Sequence, residues 1–155
     1  ALDKKNSNFV AVLVKPDEDV LEQLKDLPFD YYQIYDSKPS YVKKIKEKYN
    51  KKIISVVTVS NKNDVDNYKD YENISDMILF DSKGYHKSES FNHGYLDKVI
   101  TKLPIMIAGD IKVDDLDNFK NKKFCIDISG GLETGGIKDI NKIDKFLNSV
   151  HNISS

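Results

Sequence analysis

Six short runs of strand-forming residues recur at intervals of 19 to 28 residues, and no other feature constrains the fold as much. They start near Phe9 (FVAVLV), Tyr31 (YYQIY), Ile53 (IISVVTV), Met77 (MILF), Ile105 (IMIA) and Phe124 (FCIDI). Polar residues follow each run, then a helical pattern. Leu21, Leu24 and Leu27 form one stripe of 3.6-residue period; Val42, Ile45 and Tyr49 form a second; Ile140, Ile143, Leu147 and Val150 form a third. Continuous apolar strands alternating with amphipathic helices point to an α/β fold with a parallel sheet, because parallel strands need crossovers and become buried on both faces. A βα barrel and an open doubly wound sheet both satisfy that pattern. No Gly-rich GxGxxG turn follows the first strand, so the barrel is the preferred reading.

The chain has 155 residues, enough for one domain but short of the ~250 usual for eight βα units. Its net charge of −1 gives no long-range attraction to nucleic acid or to an anionic membrane. All 24 basic residues are Lys, so an anion would be held by lysine point charges or backbone N–H groups rather than a guanidinium fork. The lysine-rich stretch Lys43 to Lys52 interleaves with core positions and reads as a solvated helix face. Cys125 is the only cysteine, which excludes an intrachain disulfide and fits a reducing cytoplasm. With no signal peptide and no ~20-residue apolar span, the expected location is cytoplasmic. No His, Cys or carboxylate set has metal-site spacing, and neither metal nor cofactor is expected.

In a βα barrel the site is built at the C-terminal ends of the strands. Standing there are Lys15, Gln33 to Asp36, Thr58, Asp81, Gly109 with Asp110, and Asp127 through Gly131. Asp81, Asp110 and Asp127 lie directly after or inside apolar runs, where a charge is costly unless something pairs with it or uses it. The structural alternative is that they cap helices or bond to loop N–H groups.

The segment from Asp127 to Asp139 (DISGGLE, then GGIKD) resembles the last strand, loop and helix of phosphoribosylanthranilate isomerases, which carry DVSSGVE and PGxKD. In register upstream, AGDIKVDDL (Ala108 to Leu116) is similar to that family's AGGL, and LFDSKG (Leu79 to Gly84) to its LLDSK. DYYQIYDSKPSYVKKI (Asp30 to Ile45) is similar to DxVQLHGxExPxYV, and FVAVLVKP (Phe9 to Pro16) to VGVFVN. The resemblance implies a (βα)8 barrel of which this chain supplies about six units, strands three to eight. It implies an Amadori rearrangement of a phosphoribosylamine to a ketose phosphate in tryptophan biosynthesis. Asp81 would be the acid that protonates the ring oxygen, Asp127 and Gln33 would contact the substrate, and Gly109, Ser129, Gly130 and Gly131 would hold its phosphate.

Several positions depart from the family pattern. The Lys-x-Cys-Gly strand that supplies the general base, and the Arg-bearing second unit, have no counterpart in these residues; the expectation is a longer polypeptide. Cys125 is expected as a buried core thiol rather than a substitute base. Tyr85 to Ser88 replace a Gly-Gly-Thr-Gly loop, Tyr35 and Asp36 replace a His-Gly pair, and Ser55 replaces a Lys. Asp110 replaces the second Gly of the phosphate loop. A like charge ~6 Å from the phosphate costs roughly 3 kcal/mol at an effective dielectric of ~20, unless Asp110 turns away or Lys112 neutralises it. His86 and His93 are expected as exposed loop residues, with proton transfer near Asp81 as the alternative. The competing functions are a non-catalytic barrel descendant binding a phosphosugar or protein partner, and a related phosphate-binding barrel with another sugar phosphate. Open edges at Phe9 to Val14 and Phe124 to Ile128 make a homo-oligomer an expectation.

Overall fold

Each strand pairs with the next one in sequence, and every pairing is parallel. The computed structural model describes residues 7–82, 90–120 and 122–153. Its sheet runs β1 (Val10–Val14), β2 (Tyr31–Tyr35), β3 (Lys52–Val59), β4 (Met77–Ser82), β5 (Ile105–Ile107) and β6 (Phe124–Ile126), in that order. A doubly wound sheet reverses its strand order part-way to place helices on both faces. Here every crossover steps the same way, as in a barrel. Val12 on β1 and Asp127 after β6 line one cavity of about 380 Å³. In a flat sheet five strand spacings would part them by ~24 Å, so the sheet curls into a partial barrel.

The helices cover its outer face. α1 (Glu18–Leu24) starts where Asp17 Oδ1 accepts from Val20 N at 2.9 Å, and α2 (Pro39–Tyr49) has Pro in its first turn and left-handed Asn50 at its end. Their apolar sides, with Leu21, Val42 and Ile45 each 1% exposed, pack on Tyr32, Ile34 and Ile53. Full burial of such a side chain contributes ~1.5–3 kcal/mol. On the polar side Lys44 pairs with Glu18 at 2.9 Å and Lys48 with Glu22 at 3.0 Å, so the lysine-rich stretch is a solvated face. α1 stops before Leu27, which is 45% exposed, because the residue preceding Pro28 disfavours helical backbone.

The next three connections are 3₁₀ segments, Asp64–Asp70, His93–Lys98 and Val113–Phe119, rather than α-helices. They still deliver Val65, Tyr68, Leu96 and Phe119 to the outer face of Ile78, Phe80 and Ile107. After β6, β7 (Glu133–Thr134) and β8 (Ile137–Lys138) make a hairpin that leads into α3 (Ile140–Ile153). None of the described helices is long and apolar enough to cross a membrane.

The inner face is filled in the middle and open at its sides. Ile54, Val56, Leu79 and Ala108 are buried there, whereas Val10, Val12 and Val14 on β1 are 37, 61 and 51% exposed. Cys125, on β6, is exposed too, against the expectation of a buried thiol. The reason is position: it pairs with Met106 in register on the inner face, but β6 is a sheet edge.

Candidate active site

Strand register alone places the two carboxylates. Thr58 lies opposite Asp81 across β3 and β4, and extending the β4–β5 and β5–β6 ladders by one residue sets Asp81 beside Ala108 and Ala108 beside Asp127. Asp81 and Asp127 therefore share one row of the inner face with a small alanine between them, roughly two strand spacings (~10 Å) apart. Gln33, Asp81, Gly109, Asp127, Ser129, Gly130 and Gly131 all line the same cavity. Tyr35 and Asp110 join them there.

The carboxylates differ in environment. Asp81 accepts the Tyr35 hydroxyl on Oδ2 at 2.9 Å and the Ser82 amide on Oδ1 at 2.7 Å. Asp127 receives no side-chain hydrogen bond among the described residues; burial pushes its carboxyl above the usual range, and the charge of Asp81 adds to the effect. The row thus sets a carboxyl group hydrogen-bonded at both oxygens beside one whose burial resists ionisation. Burial, and then Asp81, also raise the Tyr35 phenol well above its ordinary value. The buried Gln33 donates Nε2–H to the Tyr35 oxygen at 3.4 Å.

The other wall is backbone. Among the described residues the amides of Gly109, Gly130 and Gly131 meet no acceptor, leaving three donors beside the cavity. Such unpaired N–H groups suit an anion. Gly109 has φ +94°, and a Cβ there would lie 3.0–3.1 Å from Ser82. At Gly131 a Cβ would meet the Ile111 carbonyl at 2.2 Å, whereas at Gly130 nothing lies within 4 Å. Gly131→Ala is expected to weaken binding of a phosphorylated ligand at least tenfold and to lower the melting temperature, with Gly130→Ala close to wild type. Calorimetry on both variants checks the contrast.

The N-(5'-phosphoribosyl)anthranilate (PRA) isomerase family model matches residues 2–149. The chain belongs to this family. The N-(5'-phosphoribosyl)anthranilate isomerase of Brucella canis is 29% identical over 153 residues, covering 91% of this chain and 69% of that protein. Among solved structures, the phosphoribosyl anthranilate isomerase of Thermus thermophilus superposes with a TM-score of 0.76 at 16% identity, over 93% of this chain and 72% of that one. Mutually generated monomers of the dimeric enzyme from Thermotoga maritima give 0.74 at 22%, over 95% and 74%. At these identities the two structures show the fold.

One position beside the cavity departs from the phosphoribosylanthranilate isomerase pattern. Asp110 takes left-handed backbone, φ 50°, where the resemblance sets a glycine, and its Oδ2 lies 3.5 Å from Lys112 Nζ. Among the described residues no lysine lines the cavity, whereas Asp81, Asp110 and Asp127 do. Lys112 thus offsets part of the Asp110 charge, but an exposed pair of this kind screens it incompletely. Asp110→Gly is expected to tighten binding of a sugar phosphate about tenfold and to raise stability by ~1 kcal/mol through relief of the left-handed backbone. Titration calorimetry and thermal melts measure both.

His93 is half-buried rather than an exposed loop residue. Its ring meets Phe91 and Phe119 edge-on, at centroid distances of 4.6 and 5.2 Å, and Nε2 lies 3.4 Å from the Ala108 carbonyl. Burial lowers its pKa, and it does not line the cavity, so it braces the end of β5 from behind. His86 and the altered loop from Tyr85 to Ser88 lie outside the described residues. The link between Tyr35 and Asp81 was missed in the sequence because the two stand 46 residues and two strands apart.

Proposed function

We propose that this protein catalyses the isomerase reaction of its family, the Amadori rearrangement of N-(5'-phosphoribosyl)anthranilate to the corresponding ketose phosphate. The observation that carries the reading is the single cavity: Asp81 and Asp127, in one row at the strand ends, line the same space as three glycines whose amides are unpaired among the described residues. The reaction opens the ribose ring by breaking the bond from C1 to the ring oxygen as an acid protonates that oxygen; a base then takes the C2 proton, and the enolamine so formed regains a proton at C1 to give the ketose. It therefore needs proton donors and acceptors near the sugar and a fixed anchor for the phosphate.

In this assignment Asp81 gives a proton to the ring oxygen as the bond breaks. Asp127, with Gln33, orients the amino and hydroxyl groups of the reacting sugar. The amides of Gly109, Gly130 and Gly131, with Ser129, hold the phosphate. Lys138 supports that cradle from outside, donating to the Ser129 carbonyl at 2.9 Å and to its hydroxyl at 3.2 Å. The six strands correspond in this reading to the third through eighth of the barrel, with the open edges of β1 and β6 facing one gap. The chain spans 69% of the Brucella canis relative, a little less than six units of eight.

The test is turnover by the intact natural polypeptide, quantifying the ketose phosphate by chromatography. Conversion of N-(5'-phosphoribosyl)anthranilate supports the assignment. Saturable binding of a sugar phosphate without conversion would replace it with the non-catalytic reading. Conversion of a different aldose phosphate alone would move the substrate within the same chemistry.

A further inference from the structure

Tyr35 and Asp81 are joined by a contact that spans a strand. β3 lies between β2 and β4, so their backbones are ~10 Å apart, and a hydrogen bond between them needs one long side chain. Tyr35 supplies that reach. Its ring packs on the inner cluster of Ile54, Val56, Leu79 and Ala108, and its hydroxyl emerges in the cavity 2.9 Å from Asp81 Oδ2. The packing fixes the phenol, so its oxygen has little freedom to follow Asp81 elsewhere.

The hydroxyl also has a direction. Gln33, 6% exposed on the same strand, donates Nε2–H to the phenol oxygen at 3.4 Å. That oxygen acts there as acceptor, which turns its own proton toward Asp81. Oδ1 is engaged separately by the Ser82 amide at 2.7 Å. The carboxylate is thus held at both oxygens, by the backbone on one side and by the Gln33 to Tyr35 chain on the other.

We propose that Tyr35 is the positioning residue of this site, holding Asp81 in its working orientation and stabilising the carboxylate left when Asp81 has given up its proton. The proposal rests on the isomerase reading. As Asp81 protonates the ring oxygen and the bond from C1 to that oxygen breaks, negative charge grows on Oδ2, where the phenol proton already points. A donor aimed at charge that develops in the transition state lowers the barrier more than it tightens the ground state. The effect of losing it therefore falls on kcat.

The experiment is Tyr35→Phe, which removes the hydroxyl and keeps the ring, measured in the intact natural polypeptide. The expected result is a kcat lower by about 10–100-fold with KM within about twofold. In the Asp81→Asn background the same substitution adds nothing to the loss, because its route runs through Asp81. An unchanged kcat, or a loss confined to KM, overturns the proposal. If Tyr35→Phe does not fold, Gln33→Met removes the group that orients the phenol proton; a kcat loss of about 3–10-fold that disappears in the Asp81→Asn background is expected, and no loss, or a loss that persists there as direct substrate contact by Gln33 would give, overturns the proposal. A thermal double-mutant cycle of Tyr35→Phe with Asp81→Asn does not depend on turnover. Its melting-temperature losses should fall short of additivity by about 2–4 °C. Strict additivity overturns the proposal, whereas absence of turnover in the wild type with a coupled cycle removes only the isomerase reading.

Discussion

Asp81→Asn is expected to lower kcat/KM for the isomerase reaction by about 10³-fold or more while the protein remains folded. The amide has the shape of the carboxyl and still accepts the Ser82 amide through its oxygen, so packing in the row with Ala108 and Thr58 is retained. What is lost is the proton. General acid catalysis by one positioned side chain contributes typically 10²–10⁴-fold, and ring opening without it would have to expel an alkoxide. Steady-state kinetics with a circular-dichroism melt of the same preparation separates this outcome from unfolding. A variant that keeps a tenth or more of wild-type kcat/KM would exclude Asp81 as the acid.

The second large effect combines a loss with a gain. Asp127→Asn is expected to reduce kcat/KM by about 10²-fold, since the carboxyl proposed to orient the sugar is gone, and at the same time to raise the melting temperature at neutral pH. The sign follows from linkage. Burial raises the Asp127 pKa in the folded state above its ordinary 3.8. Between those two values the folded protein holds a proton that the unfolded chain has released, so stability falls as pH rises through that window and stays lower above it. Asn removes the titration. The stability gain should therefore be absent below about pH 3.8 and grow as pH rises above it. Melts across pH 3–8 provide the check; a variant less stable than wild type at pH 7 would show that the carboxyl has a stabilising partner.

The gain and the loss belong to one cause. A carboxyl held where it resists ionisation lowers stability, and such placements concentrate where chemistry uses them. Asp110 differs, its cost lying in left-handed backbone beside the same cavity. Its substitution by Gly should improve both affinity and stability, which sets it apart from Asp127.

The strands were legible because parallel strands are buried on both faces and so stand out as continuous apolar runs. β3, from Lys52 to Val59, is nearly all buried and carries the strongest run. The short crossovers were less so. Asp64–Asp70 and Val113–Phe119 are seven residues each and rich in Asp and Asn, too short and too competitive with their own backbone for a stable α-helix. Leu27, read from the sequence as part of the first helical stripe, falls outside α1, since the residue before Pro28 disfavours helical backbone. Gly135 and Gly136, with φ of 60° and 78°, form the two-residue turn of the β7–β8 hairpin, a signal hidden inside a stretch that resembles a family motif.

The candidate site was legible to a similar depth. Asp81, Asp127 and the glycines could be located because a strand end is a property of the local sequence. Which side chains touch across strands is not. The reach of Tyr35 to Asp81 depends on the curl of the sheet, and the exposure of Cys125 depends on what lies beside β6. The contact of His93 with Phe119 likewise joins residues 26 positions apart only through folding.

The most direct measurement is a crystal structure of the protein with a reduced, unreactive analogue of the ketose phosphate product. The phosphate is expected on the amides of Gly109, Gly130 and Gly131, with the sugar carbons between Asp81 and Asp127 and the Tyr35 hydroxyl still on Asp81 Oδ2. A phosphate seated elsewhere, or a sugar out of reach of both carboxyls, would contradict the assignment.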